Sequence, residues 1–285
     1  MRRKSSSFQQ SVLKTAIKKT HMTLHEWIYQ REIRGQVTFS ANEVYSIPDM
    51  SASTAKTELA RMVVRRRVQN VYKGFYVIIP PQYALKGIVP ATYYIDSLMQ
   101  YLNKPYYVAL LSAAALHGAT HQRAMLTQVM TVSPRPNISE KNGQIDWSFR
   151  KDIPESLLLS VNSEMGIIRY SNPELTAVDL IQYAKHIGGY QRAATVLAEL
   201  VDEVDMSKIS DVLPYTSYAV LQRLGCILEY VLFEQEKADK LYSVVCHDKR
   251  KWHLVLLSNE HPKDKLADAN RWRVNININI EVDDL

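Results

Sequence analysis

Residues 40–79, SANEVYSIPDMSASTAKTELARMVVRRRVQNVYKGFYVII, carry the pattern that decides the fold of the first third of this 285-residue chain. Ser40 and Glu43 have the spacing of a capping box, which predicts a short helix over 41–46. Pro48 ends that segment, because the residue before a proline is driven out of the helical region. A second helix is predicted to follow the proline.

The second predicted helix covers residues 52–66 and begins after Ser51, a favourable N-cap residue. Its apolar residues recur at helical spacing and form one stripe, which consists of Ala52, Ala55, Leu59, Met62 and Val63. The opposite face is small, polar and basic, with Ser53, Thr57 and Arg61 near its centre and Thr54 and Lys56 on its flanks. Two helices of this size, joined by a short turn, have helix-turn-helix dimensions.

Two β-rich runs follow this helix and are separated by Tyr72-Lys73-Gly74, which predicts a hairpin with a basic tip. A helix over 9–34 and a short strand over 37–39 are predicted before the two short helices. Helix, strand, helix, turn, helix and hairpin is the element order of a winged helix. The sequence therefore predicts an N-terminal winged helix-turn-helix domain over 1–85 that includes the helix over 9–34.

The positive charge of the chain is concentrated in its first third. Residues 1–90 hold 15 Lys and Arg against 5 Asp and Glu, whereas residues 91–285 hold 20 against 24. Such a segment favours a polyanionic partner, because Lys and Arg release counterions when they neutralise phosphates. A helix fits the major groove of DNA, and a wing reaches the neighbouring phosphates. We therefore predict that double-stranded DNA binds to Ser51, Ser53, Thr54, Lys56, Thr57, Arg61, Arg65, Arg66, Arg67 and Lys73.

Residues 91–285 mix helical and strand-like patterns, which predicts a larger mixed α/β C-terminal domain and an α+β fold for the chain. The apolar, alanine-rich stretch Tyr106–Leu116 predicts a buried helix that ends at Gly118. Apolar residues and Asn alternate strictly in the predicted strand over 273–282, which indicates one buried and one polar face. Other strands are predicted over 128–132, 145–149, 166–170 and 252–257, and helices over 91–102, 173–186, 192–204 and 217–236.

Several function classes find no support in the sequence. Two cysteines cannot form a disulfide framework, and no apolar run is long enough to span a membrane, so we expect a cytoplasmic protein without a membrane partner. The pairs His21/His25 and His117/His121 lack the glutamate of the metalloprotease pattern. We therefore predict no catalytic residue, no cofactor and no metal site, and a protein that is not an enzyme.

Four stretches resemble the AbiEi-type antitoxins of type IV, abortive-infection toxin–antitoxin systems: residues 72–77 (YKGFYV), 106–122 (YYVALLSAAALHGATHQ), 168–180 and 271–274 (RWRV). The resemblance implies a bacterial or archaeal cytosolic protein of phage defence. Its winged helix would bind inverted repeats in its own promoter and repress transcription. Its C-terminal domain, residues 91–285, would counteract a nucleotidyltransferase-like toxin, and direct binding to that toxin is not expected.

The residues alone leave other functions open. One alternative is a metal-dependent nuclease or nucleotide-modifying enzyme that uses a winged helix as a guide domain. Another is an interaction scaffold in which the winged helix binds protein. The oligomeric state is also open, since a monomer on each half-site and a dimer on DNA both fit the sequence.

Overall fold

The computed structural model of the chain describes residues 22–119, 126–132, 144–163, 166–247, 252–265 and 269–282. The chain has a mixed α+β structure and divides into two compact units, the first ending at Val89 and the second beginning at Pro90. No helix among the described residues has the length and apolar character needed to cross a bilayer.

In its described residues, 22–89, the first unit combines three α-helices with a small antiparallel sheet. Its elements are α1 (Leu24–Ile33), β1 (Thr38–Ser40), α2 (Ala41–Tyr45), α3 (Ala52–Val64), β2 (Val68–Tyr72) and β3 (Phe75–Ile78). Strand β3 pairs antiparallel with both β1 and β2, giving the order β1-β3-β2. Its core holds Leu24, Ile28, Phe39, Val44, Ile47, Ala55, Leu59, Met62, Val68 and Ile78.

Helix α1 begins later than the sequence predicted. Thr23 has extended backbone angles, φ −77° and ψ 157°, and its hydroxyl accepts a hydrogen bond from the Glu26 amide at 3.2 Å. The Glu26 carboxylate accepts from the Thr23 amide at 2.9 Å, which completes a capping box. The predicted continuous helix over 9–34 is therefore wrong at Thr23, and its part over 9–21 lies outside the described residues.

The two short helices have the predicted starts. Ser40 and Glu43 form the capping box, and the Ser51 hydroxyl accepts a hydrogen bond from the Thr54 amide at 3.1 Å. Helix α3 ends at Val64 rather than at residue 66, because Arg66 adopts the left-handed region with φ 55°. The chain thereby turns from α3 directly into β2.

The second unit contains a five-stranded mixed sheet and a helical layer. Its strands are β4 (Tyr106–Val108), β5 (Thr127–Thr131), β6 (Ile145–Phe149), β7 (Leu158–Ser163), β8 (Gly166–Ser171), β9 (Val255–Leu256) and β10 (Val274–Asn275). Its helices are α4 (Ile95–Tyr101), α5 (Leu110–Leu116), α6 (Pro173–Gln182), α7 (Tyr190–Leu200), α8 (Tyr218–Tyr230) and α9 (Gln235–Cys246). The large sheet has the order β6-β5-β4-β8-β7, and β4 with β8 and β5 with β6 are its parallel pairs.

Two predicted helices of this unit differ in the structure. The stretch Tyr106–Leu116 is the central strand β4 followed by α5, with Leu110 at φ 54° marking the change. An uninterrupted apolar run fits a buried strand as well as a buried helix, so periodicity alone could not separate the two. The predicted helix over 217–236 is two helices, α8 and α9, and Phe233 at φ 57° lies at the break between them.

The alternating Asn segment over 273–282 is not a continuous strand. Only β10 pairs, in parallel with β9. The Asn277 amide accepts from the Ser258 backbone N–H at 3.0 Å and donates to the Ser258 carbonyl at 2.8 Å. The Asn275 amide likewise accepts from the Asp264 backbone N–H at 2.9 Å and donates to the Asp264 carbonyl oxygen at 2.8 Å. At Asn275 and Asn277 the predicted polar face therefore consists of side chains that replace the backbone hydrogen bonds of a ladder.

Candidate nucleic-acid interface and antitoxin domain

The outer face of α3 lies opposite its buried stripe. Ala55, Leu59 and Met62 are buried, whereas Ala52 of the predicted stripe is exposed and Val63 is half-buried. All ten predicted DNA-binding positions are exposed, a set that consists of Ser51, Ser53, Thr54, Lys56, Thr57, Arg61, Arg65, Arg66, Arg67 and Lys73. The structure thus places them on the surface of the first unit.

All four hydroxyl groups of the predicted set are held by local bonds at the start of α3. The Ser51 Oγ lies 2.9 Å from Ser53 Oγ and 2.8 Å from Thr54 Oγ1. The Thr57 hydroxyl donates to the Ser53 carbonyl oxygen at 3.0 Å. These contacts fix the first turn of α3.

Three of the arginines have partners on the protein. Arg61 forms an ion pair with Glu58 at 2.6 Å, and Arg67 forms one with Glu32 at 3.6 Å. Arg66 donates to the Leu85 carbonyl oxygen at 2.9 Å. The ion pairs therefore partly neutralise the charges of Arg61 and Arg67, and the hydrogen bond holds Arg66 against the surface of this unit.

Lys56 and Arg65 are different, because neither side chain makes a hydrogen bond or an ion pair with any residue that the structure describes. Lys56 lies in the second turn of α3, and Arg65 is its C-cap. Lys73 is exposed at the hairpin turn, where Gly74 adopts φ 75°. These are the strongest candidates for phosphate contacts.

The second unit contains a buried polar cluster that the sequence did not reveal. Arg150 Nη1 lies 3.1 Å from Asp179 Oδ1, and the Tyr107 hydroxyl donates to Asp179 Oδ2 at 2.7 Å. Arg150 also donates to the Tyr107 hydroxyl and, at 2.9 Å, to the Tyr215 carbonyl oxygen. The cluster joins β4, the residue after β6, and α6, so it fixes the sheet against the helical layer.

Burial dominates the electrostatics of this cluster. It raises the pKa of the Asp179 carboxyl to about 6, although the neighbouring Arg150 charge and the Tyr107 hydrogen bond oppose the rise. Burial and the Asp179 charge raise the pKa of the Tyr107 hydroxyl. Removal of one partner from such a buried pair leaves an uncompensated charge, which is strongly destabilising.

The segment that enters α6 is held on both sides. The Asn172 side chain accepts from the Leu175 amide at 2.9 Å, and Pro173 occupies the first turn, as predicted. His117 Nε2 donates to the Ser171 carbonyl oxygen at 2.8 Å. The buried Glu174 accepts from the Asp205 amide at 3.0 Å. The His117 side chain therefore has a structural role, because its hydrogen bond holds Ser171 at the end of β8.

The segment Arg271-Trp272 docks on helix α8. Glu229 Oε2 accepts from Arg271 Nε at 2.6 Å and from Trp272 Nε1 at 2.7 Å. The Gln222 side chain donates to the Trp272 carbonyl oxygen at 2.7 Å. The indole lies directly over Gly225, where an added Cβ would meet the ring at 2.2 Å. The motif RWRV thus joins the end of the described chain to the centre of the helical layer.

Sequence reasoning missed Arg150 and Glu229, although it singled out stretches that contain their partners. The available signal was a charged residue inside an apolar run, as with Asp179 in the run Ala177–Leu180.

Within the described ranges no group of three or more His, Cys, Asp or Glu is placed to hold a metal ion. Ser112, a packing residue by prediction, accepts from the Gln128 amide at 3.0 Å.

Comparison with known proteins finds a similar solved structure and a matching family model. A crystal structure of the RV2827C protein from Mycobacterium tuberculosis is similar, with a TM-score of 0.63, 13% identity, and coverage of 87% of this chain and 88% of that one. At this identity the likeness concerns the fold alone. No curated protein matches the chain. Residues 107–230 match the family model described as the AbiEi antitoxin C-terminal domain, which confirms the resemblance: the chain carries an AbiEi antitoxin domain and has an antitoxin role in a toxin–antitoxin system.

Proposed function

We propose that this protein is a DNA-binding autorepressor and an antitoxin that counteracts a nucleotidyltransferase-like toxin. Its first unit is, in this proposal, a winged helix in which α3 is the recognition helix and the β2–β3 hairpin is the wing. The observation that carries the proposal is the exposed polar and basic face of α3, in which Lys56 and Arg65 have no partner among the described residues.

The local bonds support a division of roles on this face. Ser53 and Thr54 lie in the ordered first turn, where short hydroxyl side chains can reach base edges in the major groove. Lys56, Arg65 and Lys73 would neutralise phosphates and supply affinity that is independent of sequence. Arg61 and Arg67 would have to exchange Glu58 and Glu32 for phosphate.

Fluorescence anisotropy with duplexes from the protein's own upstream region tests the DNA-binding part. We expect preference for a duplex with an inverted repeat over a scrambled duplex of equal length, and affinity that falls steeply with salt. The double variant Lys56→Ala/Arg65→Ala should weaken binding to both duplexes and reduce the salt slope by about two, since each phosphate contact contributes about 0.9.

Arg34→Ala is the matched control, because Arg34 is an exposed positive charge on the same unit but at the end of α1. It should leave the slope unchanged. Equal affinity for the specific and scrambled duplexes would refute promoter recognition. An unchanged slope in the double variant would remove Lys56 and Arg65 from the interface.

Co-expression with the cognate nucleotidyltransferase-like toxin that this proposal implies tests the antitoxin part. We expect the intact protein to restore growth, and the DNA-binding double variant to do so equally well when both proteins are expressed from foreign promoters. We propose that neutralisation needs no stable complex, so the two proteins should not co-purify. Failure to restore growth would contradict the choice of toxin class.

Duplex cleavage dependent on added Mg²⁺ or Mn²⁺ would favour the nuclease alternative.

A further inference from the structure

The second unit contains an open cavity of about 770 Å³ between the start of α7, the 258–261 loop and the 277–280 segment. This volume falls in the range of about 300–1,000 Å³ found for pockets that bind small molecules. Its walls include the apolar side chains Ile278 and Ile280 and the ring of Tyr190. The cavity is therefore large enough, and apolar enough on one side, for an organic ligand.

The charged groups of this cavity favour an anion. Arg223 lines the cavity and is only 9% exposed. Its Nε donates to the Leu256 carbonyl oxygen at 2.8 Å and its Nη2 to Asn259 Oδ1 at 3.2 Å. The third nitrogen, Nη1, makes no hydrogen bond to any residue within the described ranges. A buried guanidinium is thus held rigidly by two bonds while part of its donor capacity stays unused.

The N-terminus of α7 forms another part of the same wall. Gly189 is its N-cap, adopts φ 95°, and has no side chain that could cap the helix. Helix N-termini favour negative groups, because their first N–H groups lack intrahelical partners. Among the described residues of the lining, the nearby Glu260 is the one carboxylate, and Lys185 pairs with it at 2.8 Å. With Arg223 and Lys185 against Glu260, the lining therefore keeps a net positive charge.

We propose that this cavity binds a phosphate-bearing small molecule of nucleotide size. The phosphate would lie between Arg223 Nη1 and the start of α7, and the organic body would lie against Tyr190 and Ile278. An inorganic phosphate would fill only a small part of the space. This site is separate from the DNA-binding face and does not depend on the proposed function.

Isothermal titration of the full chain tests the site, with ATP, GTP, CTP and UTP as probes and with the matching nucleosides and inorganic phosphate as comparisons. We expect at least one nucleotide to bind with a stoichiometry of one. The nucleoside should bind at least about tenfold more weakly, because it lacks the phosphate and so loses at least one hydrogen bond to a charged group. Binding of no nucleotide at millimolar concentration would overturn the proposal, and so would equal binding of the nucleoside. Inorganic phosphate that binds as tightly as every nucleotide would also overturn it, by showing a simple anion site.

Variants locate the binding. Arg223→Met should abolish it, but Arg223 also supports the 256–259 segment, so a second variant is needed. Lys185→Glu changes only a rim residue whose side chain is 83% exposed, and it should weaken nucleotide binding about tenfold. Arg192→Met removes an exposed charge of α7 outside the cavity lining and should have no effect.

The double variant Lys56→Ala/Arg65→Ala should keep full nucleotide affinity. Loss of nucleotide binding in that double variant would place the ligand on the DNA-binding face and overturn the proposal. Equal weakening by Lys185→Glu and Arg192→Met would do the same, because it would show only a general effect of charge.

Discussion

Replacement of Gly225 by alanine tests how closely Trp272 packs on helix α8. In an exposed helix interior this change stabilises a protein by about 1 kcal/mol, because glycine has the greater conformational freedom when unfolded. Here the new Cβ would lie 2.2 Å from Cη2, 2.3 Å from Cζ3 and 2.4 Å from Cε3 of the Trp272 ring. Real Cβ atoms do not approach other atoms so closely, so either the ring or the helix has to move.

The position of Trp272 leaves little room for that movement. Its side chain is fully buried, and its indole N–H and its carbonyl oxygen bond Glu229 and Gln222. Overpacking of a tight core costs about 1–3 kcal/mol, and expulsion of the ring would approach the 3–5 kcal/mol of a buried Trp→Ala change. Three ring carbons would lie within 2.4 Å of the new Cβ, so the larger of these two costs applies. After the helical gain of about 1 kcal/mol is subtracted from it, we expect Gly225→Ala to lower the free energy of unfolding by about 2–4 kcal/mol.

Urea unfolding followed by far-ultraviolet circular dichroism measures this loss, and the Trp272→Ala background isolates its cause. Without the indole, Gly225→Ala should be neutral or stabilising by up to about 1 kcal/mol. The difference between the two backgrounds is the coupling energy of the contact. A Gly225→Ala protein as stable as the wild type would refute the reasoning, as would an equal loss in both backgrounds.

Three further outcomes follow from side chains described above. Burial raises the pKa of Asp179 to about 6 in the folded protein, above the ~3.9 of a free Asp. The folded protein therefore binds a proton more tightly than the unfolded chain, so wild type should lose stability relative to the non-titrating Asp179→Asn as the pH rises between these values. A stability difference that stays constant over this pH range would contradict the shift. Asn277→Asp should destabilise by about 1–3 kcal/mol, because it sets a carboxylate against backbone carbonyls. Asn162→Asp, at an exposed position of β7 whose side-chain amide bonds no residue that the structure describes, should be near neutral in the same urea assay. Ser40→Ala should cost about 1 kcal/mol through loss of its cap, measured as a lower urea midpoint, and an unchanged midpoint would count against that role.

Local chemistry explains which elements the sequence predicted well. The starts at Ser40, Ser51 and Asn172 depend on side chains that cap their own helix within three residues, so they are visible in any short window. The exposure of Lys56 follows from the 3.6-residue period of α3.

Long-range packing explains what the sequence did not show. Tyr107 and Asp179 are 72 residues apart, and no local pattern links them to each other or to Arg150. Strand β7 was missed because its alternation is weak and most of its residues are exposed. The Asn residues over 273–282 alternate as in a strand, but the amides of Asn275 and Asn277 bind a loop that lies 11–19 residues earlier in the chain.

The docking of Arg271-Trp272 on α8 has a consequence for the modularity of the antitoxin domain. The family match ends at residue 230. The indole of Trp272, more than forty residues further along the chain, hydrogen-bonds Glu229 and packs on Gly225, which both lie inside the match. A fragment cut at the border of the match would expose a slot sized for an indole and leave a half-buried carboxylate without its two donors. We therefore expect the homologous segment to be less stable alone than in the whole chain, and an exchange of this segment should carry the distal tryptophan together with the glycine that accommodates it.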